Sequence, residues 1–163
     1  MIKPAYIISI LLFFPVLLIQ TTVVPLIAIE NVIPDLVIII LVYYSISQNQ
    51  IYGTVLGFIY GFLFDIITGS LLGSTMIAKT IAGFSAGYFS SENKRDQYLI
   101  SYNFALIVLM ASLIDSTINA FFSSVSFNTN IFILFIQYAL FPSLYTSTIA
   151  LMGMIFYPKR RLF

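Results

Sequence analysis

The sequence predicts an all-α integral membrane protein, a six-transmembrane-helix bundle with both termini in the cytoplasm. Three observations predict it. Sixty per cent of the 163 residues are hydrophobic and only 8% are charged, with a mean hydropathy of +1.03. A soluble domain of this size could not clothe such a chain in polar groups. The apolar residues fall into six runs near the length needed to cross a bilayer. Of the seven Lys and Arg residues, Lys3, Lys94, Arg95, Lys159, Arg160 and Arg161 all lie on one side of that threading. Basic residues beside helix ends are retained on the cytoplasmic face, so this side is inside.

A membrane-spanning helix needs about 20 mainly apolar residues. The first run, 5–27, follows Lys3, as a secretory leader would. It exceeds the apolar stretch of such leaders, and no small-x-small cleavage site follows, so it reads as a retained helix. The second, 34–47, is short. The third and fourth, 51–68 and 74–90, are separated by a turn built from Thr68-Gly69-Ser70 and Gly73-Ser74. The fifth and sixth cover 98–122 and 131–157. Connections 28–33, 69–73 and 123–130 then face outward, whereas 48–50 and the charged segment SSENKRDQ, 90–97, face inward. No connection is long enough for an extramembrane domain, so 1–163 reads as a single transmembrane domain. Pro15, Pro25 and Pro142 read as kinks or helix ends. The many Tyr and Phe residues read mostly as lipid-facing or interfacial filler. The cytoplasmic charges and the basic tail read as solvated, with contact to anionic lipid or a cytoplasmic partner as the alternative.

Composition excludes several chemistries. The chain has no Cys and no His, which removes disulfides, thiolate or imidazole metal sites and Cys- or His-based catalysis. A net charge of +1 implies no nucleic-acid partner, and no cofactor or metal is implied.

Two stripes of small residues stand out. Gly53, Gly57 and Gly61 recur every four residues on one face of the third helix, with Asp65 next on the same stripe. On the fourth helix Lys79, Gly83 and Gly87 repeat that spacing, flanked by Ala78, Ala82 and Ala86. Small residues allow close helix approach, which replaces the missing hydrophobic drive inside a bilayer. Asp65 and Lys79 share these faces, so both are expected to point inward, and at each other.

Charges inside a membrane are costly and face the protein interior. Asp115 on the fifth helix is flanked at four-residue spacing by Ala111 and Asn119. Gln20, Asp65, Lys79, Asp115 and Gln137 all fall in the outer half of the threading, and with Asn119 they form the expected intramembrane polar network. Two readings remain for it: a structural network in which Lys79 bridges Asp65 and Asp115, or an outward-facing pocket for a headgroup, peptide or small ligand. Paired aspartates on separate spans also suit an intramembrane aspartyl protease, and the size suits a lipoprotein signal peptidase. The surroundings LFDIITG and SLIDSTIN lack the Gly-x-Gly-Asp and Asn-x-x-Asp motifs of those enzymes. A Ser/Lys dyad of Lys79 with Ser74 or Ser112 has no identifiable nucleophile. The chain is read as a non-enzyme.

The segments IPDLVIIILVYY (33–44) and GFIYGFLFDIITGSLLG (57–73) resemble the MreD family of rod shape-determining proteins. The resemblance rests on Pro34 and Asp35 opening the second span, then Gly57, Phe58, Gly61, Asp65, Gly69, Ser70, Leu72 and Gly73. It continues through Gln20, Asp115 and the basic C-terminus, and so covers essentially the whole chain. Lys79 lies outside that pattern. The resemblance implies a multi-pass subunit of the bacterial inner membrane that binds MreC. MreC and the chain would then work alongside the MreB filament, RodA and its transpeptidase partner in lateral peptidoglycan synthesis. The bundle is also similar in plan to the substrate-binding S-components of vitamin transporters. A small-ligand transporter component is therefore the rival reading.

Overall fold

The computed structural model describes residues 4–30, 32–91, 95–100, 102–123 and 131–156, all helices and short connections. No β-strand occurs among the described residues, where the only pairing is an isolated bridge between Ile29 and Val32. The orientation rests on Lys3, Lys94, Lys159, Arg160 and Arg161, which lie outside the described residues.

Helix α1, Pro4–Thr22, carries Pro15 in its interior and buries Ser9, Phe13, Leu17 and Gln20 along one face. That spacing of four, four and three is the inward stripe of a helix, and Leu11 and Leu18 point away from it. The expected run to residue 27 divides here. A 3-10 turn, Val24–Ile27, takes over with Pro25 in its first turn, where a missing N–H costs nothing.

Helix α2, Leu36–Ser47, is the hub. Val37, Ile38, Leu41, Val42 and Ile46 are all 0% exposed, and α2 packs on α1 and on the helices Gln50–Thr68, Ser74–Gly87, Arg95–Ile100, Asn103–Ser123 and Phe141–Phe156. Its 12 residues span about 18 Å, well short of a hydrocarbon core about 30 Å thick. A helix this short is tolerated at membrane depth only when protein surrounds its ends. The construction of its N-terminus, described below, follows from that requirement.

Helices α3, Gln50–Thr68, and α4, Ser74–Gly87, form an antiparallel hairpin in which backbone meets backbone. A methyl group on Gly53 would lie 2.6 Å from the Gly83 carbonyl oxygen, and one on Gly61 would lie 2.6 Å from that of Thr75. One on Gly57 would strike the Lys79 carbonyl, and one on Gly87 the Cα of Gln50. The four-residue stripes thus meet one another directly, as their spacing predicts. Asn49 caps α3 by accepting from the Tyr52 N–H at 2.7 Å. Gly69 ends α3 at φ +68°, a left-handed conformation that residues with a Cβ rarely adopt.

The expected fifth run is broken. A short helix α5, Arg95–Ile100, precedes α6, Asn103–Ser123, which starts afresh after Tyr102. The expected loop 90–97 therefore overlaps a helix at its end. The last run comprises α7, Ile131–Phe135, a π-helical turn Ile136–Leu140, and α8, Phe141–Phe156. The Phe141 N–H bonds to the Ile136 carbonyl, so the widened turn falls directly before Pro142, which has no N–H of its own. By length and composition α3 and α6 are each long and apolar enough to cross a membrane, and α1 and α2 contribute shorter apolar stretches.

The aromatic residues divide between two roles. Tyr88 and Tyr102 are nearly 80% exposed, whereas Phe13 and Tyr60 are buried and stacked at 4.5 Å between centroids. The Tyr60 hydroxyl donates to the Ser9 carbonyl at 2.6 Å, tying α1 to α3. Most of the described Tyr and Phe side chains are thus outward, as expected, and the buried pair shows that a ring, with or without a polar tip, also suits a helix contact.

Candidate functional site

The first turn of α2 starts inside the protein, where every N–H needs a partner. Each of the first four has one. The Asp35 N–H donates to Thr146 Oγ1 on α8 at 3.0 Å, and the Leu36 N–H donates to Gln20 Oε1 on α1 at 2.8 Å. The N–H groups of Val37 and Ile38 both donate to Asp35 Oδ1, at 2.8 and 3.2 Å. Gln20 completes the arrangement by donating from Nε2 to the Pro34 carbonyl at 2.8 Å. A carboxylate at a helix N-terminus also meets the positive end of the helix dipole.

The other oxygen of Asp35 accepts from Lys79 Nζ on α4. Lys79 is 1% exposed and also lies 3.5 Å from Asp115 Oδ2 on α6, within ion-pair distance but beyond an ordinary hydrogen bond. The Phe64 ring, 5.7 Å from Nζ to its centroid, covers the ammonium. Asn119, one turn further along α6, donates to Asp115 Oδ2 at 3.3 Å. One ammonium thereby ties α2, α4 and α6 together.

Asp65 is inward, as expected, at 1% exposure, but its expected pairing with Lys79 does not form. Its carboxylate accepts from Ser70 Oγ at 2.7 Å, from the Gly73 N–H at 2.9 Å and from the Met76 N–H at 3.3 Å. It braces the α3–α4 turn and the start of α4. The true partner of Lys79 is Asp35, which the sequence placed only at the opening of the second span. Gln137 also falls outside the network: it is exposed and borders a separate cavity with Glu30 and Val32. Among the described residues Asp65 and Asp115 share no bonding partner, so the two carboxylates are not held together as a protease-like dyad. Ser74 donates its hydroxyl to the Leu71 carbonyl at 2.8 Å instead of pairing with Lys79.

A cavity of about 510 Å³ opens beside this cluster, with Gln20, Asp35, Thr75, Asp115, Ser116 and Asn119 as its polar wall. The expected family residues Pro34, Asp35, Gly57, Gly61, Asp65, Gly69 and Gly73 therefore have structural duties that can be named. They start α2, seal α3 against α4 and shape the turn between them. The family described as rod shape-determining protein MreD matches residues 1–159 of the chain. The chain belongs to the MreD family. Membership makes it a rod shape-determining membrane protein, and the apolar helices agree with that assignment. An MreD protein is a shape-determining structural component, and the match does not favour the transporter reading. No curated protein and no solved structure matches the chain.

Two members of this MreD cluster were missed in sequence. Thr146 carries no sequence signal, since Ser and Thr commonly bond back within their own helix, as Thr146 also does to the Pro142 carbonyl at 2.7 Å. Asp35 did carry one: a Pro-Asp pair before an apolar run is a helix-start signature, and a carboxylate placed there at the mouth of a span calls for a counter-ion.

Proposed function

We propose that the chain is a non-enzymatic, multi-pass scaffold of the bacterial inner membrane, acting within the cell-elongation complex in lateral peptidoglycan synthesis. The observation that carries this reading is the use to which the inward-facing ionisable groups are put. Asp35 and Asp65 hold helix starts, and Lys79 joins three helices. These are the devices of a rigid bundle. Outside it, Leu11, Leu18, Leu106 and Met152 are more than half exposed, an apolar belt suited to lipid and to partner helices. On this reading the six helical runs cross the membrane with both ends inside, and the transmembrane helix of MreC docks on that belt. The MreB filament, RodA and its transpeptidase partner complete the assembly.

Affinity purification of the tagged chain from bacterial membranes tests the reading. Enrichment of MreC over an unrelated six-span protein is expected. Recovery with no MreC enrichment contradicts the scaffold role.

A further inference from the structure

The charges around Lys79 do not balance. Asp35 is served on both oxygens, by two N–H groups of α2 and by Lys79. Asp65 is served by Ser70 and two N–H groups. Asp115 is left with a distant share of the same ammonium and one amide, all on Oδ2. Its Oδ1 is buried with no hydrogen-bond partner among the described residues, on a residue 4% exposed. Two carboxylates and one ammonium in the cluster leave one negative charge, and a buried acceptor without a donor is unfavourable.

Asp115 lines the 510 Å³ cavity, a volume in the range of small-ligand sites. Asp35 and Ser116 are on the same wall, while Ile33, Phe64, Tyr138 and Pro142 make an apolar rim. The π-helical turn that widens the last helix supplies Tyr138 to that rim. We propose that this cavity is a binding site for a primary ammonium group, which pairs with the Asp115 carboxylate on the cavity wall and neutralises the surplus charge. A primary ammonium has three donors and one positive charge, so a single group meets both deficits. The apolar rim suits an amphipathic carrier, and the group comes either from an aminophospholipid headgroup or from a free amine. Nothing in this depends on which partner docks outside the bundle.

The test is thermal unfolding of the full chain in mild detergent with added phosphatidylethanolamine, phosphatidylcholine, phosphatidylglycerol or free ethanolamine. A ligand that binds only the folded state raises the midpoint, by about 5 °C near saturation for a chain of this size. Phosphatidylethanolamine is expected to give that rise. Phosphatidylcholine, whose quaternary nitrogen carries the charge but no N–H, and phosphatidylglycerol are expected to give none. If free ethanolamine alone reproduces the rise the source is a soluble amine; if only the lipid does, the source is the headgroup. Asp115→Asn, which removes the charge, and Ala120→Phe, which fills the cavity from its wall without removing a charge, are each expected to abolish the rise. Should Asp115→Asn fail to fold, Ala120→Phe decides. Equal shifts with ethanolamine and choline lipids, no shift with any ammonium compound (as a protonated Asp115 would give), or a shift that survives Ala120→Phe overturns the proposal.

Discussion

Replacing Lys79 with Met keeps the length and most of the apolar stem of the side chain and removes only the ammonium. Asp35 then retains its two α2 N–H groups, but Asp115 loses its counter-charge and, among the described residues, keeps the Asn119 amide alone. Removing one member of a buried ion pair typically costs about 3–5 kcal/mol, because the other charge stays buried. For a chain of this size that lowers the unfolding midpoint by roughly 10–15 °C. Thermal unfolding in detergent, followed by tyrosine fluorescence since the chain has no Trp, reads the shift. The second-site response is the sharper part. Adding Asp115→Asn to Lys79→Met removes the stranded charge and should restore about 1–3 kcal/mol. Adding Asp65→Asn should restore nothing, with effects additive within about 0.5 kcal/mol, because Asp65 and Lys79 share no partner. Equal rescue by Asp65→Asn and Asp115→Asn would refute the assignment of Asp35 and Asp115 as the partners of Lys79.

Other perturbations separate the elements of the bundle. Gly57→Val drives a side chain into the Lys79 backbone and should cost at least about 3 kcal/mol, whereas Gly153→Ala, with nothing within 4 Å of the added methyl, should change stability by less than about 1 kcal/mol. Detergent unfolding midpoints of the two variants check this contrast. Gln20→Leu strips partners from the Leu36 N–H and the Pro34 carbonyl, at about 1–3 kcal/mol for each orphaned group, and amide exchange at Leu36 and Val37 should accelerate. Asn49→Ala removes an exposed cap and should cost only about 1 kcal/mol, read as an unfolding midpoint, with Asn49→Gly nearly neutral.

The contrast between legible and illegible features has a physical origin. The Gly53, Gly57, Gly61 and Gly83, Gly87 stripes were legible because helix spacing alone puts residues four apart on one face, and only small residues permit such an approach. That Asp65, Lys79 and Asp115 turn inward was legible because the bilayer penalises the alternative. Which carboxylate meets Lys79 was not, since it depends on how far α2 slides along α4, and nothing in one helix encodes that offset. Asp65 looked like the partner because it ends the stripe that packs on α4. Its short reach to the Gly73 and Met76 N–H groups claims it first. The break before α6 was hidden because Tyr98, Leu99 and Ile100 are as apolar as the helix that follows. Gln137 was misplaced because depth along the chain does not say which face of a helix a residue takes: it sits on the π-helical turn itself and is exposed.

A bundle threaded in this way holds the α3–α4 turn, with Asp65 beneath it, on the opposite side of the membrane from the segment that follows α4. The chain has no native Cys, so a single introduced thiol reports its own location. Leu71, 69% exposed, and the exposed Ser91 are suitable positions. In spheroplasts, a membrane-impermeant maleimide should label Leu71→Cys at once and Ser91→Cys only after the membrane is opened. Labelling of both from outside, or of Ser91→Cys alone, would contradict it.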